Sequence, residues 1–151
     1  MRRTLSAFLV SPLWVPLLAA VYAAVFWKTP DFMEHFSQME LFSVAIAIGA
    51  MLGYGIILTF GAIAHRLLWS NRRTSILMYA SVFSGIALLS WCALLIGGWA
   101  FGEYGIQFGI HVLVDTVLHR PYVPGTACVL GALVGSTFWA IARPDRKMRT
   151  K

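Results

Sequence analysis

Charge is what this sequence has least of. Of its 151 residues only 12% are Asp, Glu, Lys or Arg, while 59% are hydrophobic; soluble domains carry about 25% charged residues. So few charges cannot cover so much apolar surface in water, which excludes an ordinary soluble domain. Cysteine is nearly as scarce. Cys92 and Cys128 are the only two, and no CxxC occurs, so dithiol exchange is unsupported. A disulfide between them would lie inside hydrocarbon, and both are expected to stay free and behave as small apolar residues. Catalytic signatures are missing as well: there is no GxSxG, no HExxH and no glycine-rich phosphate loop. No catalytic or cofactor-binding residue is assigned, and no cofactor is expected.

The absence of charge is also local. Four runs carry none at all: Thr4–Trp27, Leu41–Ala64, Thr74–Gly102 and Pro121–Ala142. Each exceeds the roughly 20 residues that cross a hydrocarbon core about 30 Å thick. They predict one all-α membrane domain over 1–151, with four transmembrane helices at about 4–27, 41–64, 75–97 and 121–142. A cleaved signal sequence is the competing reading of the first run, but the run is longer than a usual signal core. No Asp, Glu, Lys, Arg or His falls inside these boundaries, whereas proton relays and ion-coupled sites place such residues in the membrane. That counts against antiporters like the small multidrug-resistance proteins and against haem-binding four-helix cytochromes. It also counts against the glutathione-dependent membrane enzymes of this size, which have Arg and Glu in their second helix.

The charges that are present sort by side. Arg2, Arg3, Arg66, Arg72, Arg73 and the tail Arg143, Arg146, Lys147, Arg149 and Lys151 make ten of the 12 basic residues. Only Lys28 and Arg120 fall on the other side, with Asp31, Glu34, Glu40, Glu103 and Asp115. The positive-inside rule then puts both termini in the cytoplasm. The net charge of +6 points to a bilayer rather than to nucleic acid, and the basic C-terminal tail is expected to meet anionic lipid headgroups.

Within the runs, Pro12 and Pro16 share one face of the first span and predict a kink. Ala45, Gly49 and Gly53 form a small-residue stripe on the second span, and Gly131 and Gly135 repeat the GxxxG spacing on the fourth; Gly85 lies near Ser81 on the third. Small residues let helix backbones approach closely in lipid. Gly49, Gly53, Gly85, Gly131 and Gly135 are therefore candidate helix-packing positions. Gly131 is expected inside the bundle, and at least one glycine of the second span against a second copy of the chain; a homo-oligomer or a membrane protein partner is expected. Thr59–Ala64 and Thr137–Ala142 agree at five of six positions, which suggests a duplicated helical hairpin. The loop Lys28–Glu40 is short and acidic, and its Phe32, Met33 and Phe36 are expected at headgroup level.

Beyond Gly98 the pattern changes. Ile106, Ile110, Leu113, Val114 and Val117 form one apolar helical face, while Gln107, His111, Asp115 and His119 climb another side. This predicts a short amphipathic helix, about 104–119, lying on the outer face of the membrane. His111, Asp115 and His119 are candidate metal ligands in i, i+4 pairs. The outer two are about 12 Å apart along the axis, so a site would need Glu34 or His35 from the first loop. A polar face wetted by headgroups and water is the plainer reading.

The ending GALVGSTFWAIARPDR, Gly131–Arg146, resembles the last helix of small, uncharacterised four-helix inner-membrane proteins of proteobacteria. That likeness spans about a tenth of the chain. It implies a bacterial inner membrane and carries over no functional residue. The sequence as a whole predicts a structural or partner-binding membrane protein, with an oligomeric channel or carrier for a small solute as the alternative. A polar cavity at the midplane would favour the carrier.

Overall fold

The computed structural model describes residues 2–26, 37–72, 74–102 and 104–142. The expectations for Phe32, Met33, Glu34, His35 and Phe36 and for the basic tail fall outside the described residues, as do Arg73 and Glu103. Helix α1 (Arg2–Val10) passes through a 3-10 turn at Ser11–Leu13 into α2 (Trp14–Phe26). Helix α3 (Gln38–Ile56) passes through a π-helical turn at Ile57–Gly61 into α4 (Ala62–Ser70). Then come α5 (Ile76–Ala100), α6 (Gly105–His119) and α7 (Tyr122–Ala142). The protein is all-α, and four helical rods are long and apolar enough to cross a membrane: Arg3–Tyr22, Phe42–Ser70, Ile76–Ala100 and Tyr122–Ala142.

The second rod extends beyond the charge-free run. It runs past Ala64 to Ser70 and takes in His65 and Arg66. The first charged residue shows where lipid can end, not where a helix must end, and neither Gly nor Pro interrupts Ala62–Ser70. Both ends of this rod have local causes. At its start, Ser37 and Glu40 form a capping box: the Ser37 amide donates to Glu40 Oε2 at 2.7 Å, and the Glu40 amide donates to Ser37 Oγ at 3.3 Å. These bonds to Ser37, backbone first and side chain second, hold the exposed Glu40 carboxyl below its ordinary value of 4.5. A lowered folded-state value means the cap contributes fully above pH 4.5 and is lost as pH falls through the folded-state value. Thermal unfolding followed by circular dichroism below pH 4.5 is therefore expected to show a small loss of stability that Glu40→Gln lacks.

The kink in the first rod is a break with a repair. Pro12 has no N–H to offer the carbonyl of Leu9, its partner in a 3-10 turn. The Tyr54 hydroxyl of the second rod donates to that carbonyl instead, at 2.6 Å. The π turn solves a different problem. The buried residues Gly49, Gly53, Ile57 and Gly61 recur every four positions. At 3.6 residues per turn each such step overshoots by about 40°. The wider turn winds the stripe back, so that Ala64 and Leu68 remain on the buried face. Thr59 Oγ1 donates to the Gly55 carbonyl at 2.7 Å across the disturbed stretch.

Packing makes two hairpins. In the first, α2 lies on α3: a Cβ on Gly49 would stand 3.1 Å from Pro16 Cα and Ala19 Cβ, and one on Gly53 would stand 2.9 Å from Val15 Cβ. In the second, α5 and α7 run antiparallel in the most extensive contact of the fold. A Cβ on Gly131 would collide with the Phe83 carbonyl oxygen and stand 2.7 Å from Ser84 Cα, and one on Gly135 would stand 2.5 Å from the Tyr79 carbonyl oxygen. Ser84 Oγ donates to the Cys128 carbonyl at 2.7 Å in the same seam. Gly49 and Gly53 thus face the first span of their own chain. Within the chain, nothing lies within 4 Å of where a Cβ on Gly85 would be. The face of α5 turned to α7 is Tyr79, Phe83, Ser84 and Ala87, and Gly85 lies off it. The two similar six-residue segments also sit in unlike places, since Phe60 is 55% exposed and Phe138 is fully buried. That weighs against a duplicated hairpin.

Helix α6 begins at Gly105, whose φ of +71° is a conformation side chains disfavour. Gly109 is buried, and a Cβ there would stand 3.0 Å from the Ile96 carbonyl oxygen; the Phe108 and Trp99 rings meet edge to face at 4.9 Å. The register of Gly131 and Gly135 on α5 sets Tyr122 at about the level of Ala93. The 15-residue α6, about 22 Å long, packs chiefly on α5 and only slightly on α7. Its bundle side is Gly105, Gly109, Val112 and Thr116; Ile106, Ile110, Val114 and Val117 are exposed beside it, and Gln107, His111 and Asp115 are exposed on the third side.

Candidate functional site

At the end of the bundle where α1 begins and α7 ends, the two hairpins are joined by an aromatic layer. Tyr79, Phe83 and Phe138 are buried and stacked with ring centroids 5.7–6.2 Å apart. Phe8 adds an edge-to-face contact to Phe138 at 4.8 Å, and the His65 ring lies 5.1 Å from Phe138. His65 Nδ1 is 2.8 Å from the Tyr79 hydroxyl, a hydrogen bond between the second and third spans. Two indoles lock the remaining pairs: Trp14 Nε1 donates to Thr137 Oγ1 at 2.9 Å, and Trp139 Nε1 donates to the Thr74 carbonyl at 2.6 Å. Ala7 and Ser11, both fully buried one turn apart, let the first rod sit down on α7. His65 was hidden in the sequence because it follows the charge-free run. The signal that would have found it is the buried rhythm Ile57, Gly61, Ala64, Leu68, which continues through it.

Above this layer the hairpins part. Helix α3 makes at most marginal contact with α5, whereas the π turn and α4 do touch it. The gap is a cavity of about 200 Å³, level with the middle of each span. One wall is Val15, Leu52, Gly53 and Ile56; the other is Ile86, Ala87, Ser90, Trp91 and Leu94 of α5, with Ala127 and Leu130 of α7. Ile57, Phe83 and Val134 floor it. Ser90 and Trp91 alone among the lining residues have polar side-chain atoms, and the exposed wall is almost wholly apolar. No Asp, Glu, Lys, Arg or His lines it. The cavity is half open, so the space between the hairpins communicates with the surroundings of the bundle.

The sequence-predicted ligand trio is not brought together. Asp115 Oδ1 pairs with His119 Nδ1 at 2.9 Å, with side chains 61% and 71% exposed. Among the described residues no three His, Cys, Asp or Glu side chains could hold one ion. The reason is the helical rise, which carries His111 and His119 two turns apart. The wet pair itself contributes little to stability. Cys92 and Cys128 are free thiols.

The fold defines the class: a multi-pass helical membrane protein. Set against family models, curated proteins and solved structures, the chain matches none, and the likeness of Gly131–Arg146 stands without a matching family.

Proposed function

We propose that this chain is a non-catalytic protein of a bacterial inner membrane that works by binding an apolar partner inside the bilayer. Both termini would be cytoplasmic, and α6 would lie on the outer face with Ile106, Ile110, Val114 and Val117 in lipid. The observation that carries the reading is the mid-span cavity of about 200 Å³, whose lining has no ionisable side chain. A carrier for a polar solute needs convergent polar groups at that depth. This wall offers one serine hydroxyl and one indole N–H, and His65 is engaged with Tyr79 outside the lining. The ten basic residues on one side support the orientation; the likeness of the last helix supports the membrane assigned.

Thiol accessibility tests this reading. In a chain with Cys92 and Cys128 replaced by alanine, Ser90→Cys and Ala127→Cys are expected to resist a membrane-impermeant maleimide from both sides. Asp115→Cys is expected to react only from outside the cell. Reaction at Ser90→Cys or Ala127→Cys would show a water-filled path and replace the binding reading with the channel or carrier. Reaction of Asp115→Cys only from the cytoplasm would invert the orientation.

A further inference from the structure

We infer that the cleft between the two hairpins holds one acyl chain of a bilayer lipid. This rests on the reading of the cleft as a dry, apolar binding site and names its occupant.

Size separates the possible occupants. An apolar cavity of about 150 Å³ accepts benzene, so this one of about 200 Å³ is of hydrocarbon-chain width. A transmembrane helix, about 10 Å across with its side chains, is far wider than such a ring. A second copy of the chain or a partner helix would have to spread the hairpins before entering. They are tied together at the end where α7 stops by the His65–Tyr79 and Trp14–Thr137 hydrogen bonds and by the stacked rings.

Chemistry separates the rest. A free fatty acid lodged wholly in the cleft would bury its carboxylate against Ser90 and Trp91 alone, and an unpaired buried charge is costly. A phospholipid avoids that cost, since its headgroup stays at the interface while one chain leans inward. Position agrees with this. The cleft spans Phe83 to Leu94 on α5, around the middle of the rod Ile76–Ala100, a depth at which acyl chains are the surrounding solvent. The floor of Ile57, Phe83 and Val134 stops the chain from passing on toward the other end. Contact is the source of affinity here, because moving hydrocarbon from lipid into an apolar cleft gains little from leaving water. The bound chain would fill space that the protein's own side chains leave.

The test is photolabelling of the full chain in phosphatidylcholine vesicles, with a diazirine midway along one acyl chain of the lipid. Adducts are expected to concentrate on Ile86, Ser90 and Leu130 several-fold over Leu77 and Leu89, which lie exposed on α5. Ser90→Phe and Ala127→Leu fill the cleft from opposite walls. Each is expected to cut the cleft adducts several-fold, whereas Leu89→Phe leaves them unchanged. Two filling variants guard against one that fails to fold. An even spread of adducts along α5, or cleft adducts undiminished in both filled variants, would overturn the acyl-chain assignment. A photoactivatable leucine at Leu130 that cross-links to another polypeptide would also overturn it, while leaving the apolar binding site standing. Labelling of the cleft by the water-soluble maleimide would sink both.

Discussion

Gly131→Ala is expected to weaken the bundle by about 1–3 kcal/mol, the range for forcing atoms into a well-packed interior. A single methyl suffices because of what it meets. The Phe83 carbonyl oxygen and Ser84 Cα are backbone, so no rotamer change relieves the collision; α5 and α7 must separate. Separation would also stretch the Ser84–Cys128 hydrogen bond. Gly131→Leu is expected to cost more than Gly131→Ala. Gly53→Leu falls in a similar range, its first obstacle being the stiff branched side chain of Val15. Gly85→Ala is the control. It meets open space on the same pair of helices, and losing glycine's backbone freedom should raise stability by about 0.5–1 kcal/mol. Thermal unfolding in detergent reads all four. Equal stability of Gly131→Ala and Gly85→Ala would mean that the glycines of α7 are membrane composition and nothing more.

Phe138→Ala is the second large effect. The ring is fully buried and touches Phe8, His65, Tyr79 and Phe83, so it belongs to all the spans at once. In water such a truncation costs about 3–5 kcal/mol. Part of that is transfer out of water, which is small when the unfolded helices remain in lipid or detergent. The cavity part persists: an emptied volume on the order of 100 Å³ at about 24 cal/mol per Å³ gives about 2–3 kcal/mol. Phe60→Ala, at the matching position of the similar six-residue segment, removes a ring 55% exposed and is expected to change stability little. The same melting experiment decides it. If the two variants lost equal stability, the aromatic layer would not be what ties the hairpins together.

The four rods were legible because lipid imposes a simple rule on sequence. A crossing segment must be long and uncharged, and Thr4–Trp27 or Pro121–Ala142 declare this without reference to any neighbour. What the rods do to one another was only partly legible. The GxxxG spacing marks Gly49, Gly53, Gly131 and Gly135 as flat places, but flatness does not name a partner; Gly49 and Gly53 meet the first span of the same chain. Gly85 looks identical on paper and faces open space, because its meaning depends on a rotation of α5 that only packing sets. The cleft left no trace in sequence at all. Val15, Ile56, Ile86 and Leu130 are ordinary membrane residues, and a gap arises from where two hairpins fail to meet. His65 lay just outside the span drawn from the charge-free run, and the helix did not stop there.

The π turn at Ile57–Gly61 has a bearing on how relatives of this chain would be found. A helix containing such a turn holds one residue more than a plain α-helix spanning the same height. Positions before Ile57 and after Gly61 therefore obey two numbering frames offset by one. A relative that kept the same packing on a plain helix would align with this chain on either side only if a single gap were opened in mid-membrane. Ungapped comparison would match Gly49 and Gly53 or Ala64 and Leu68, but not both pairs at once.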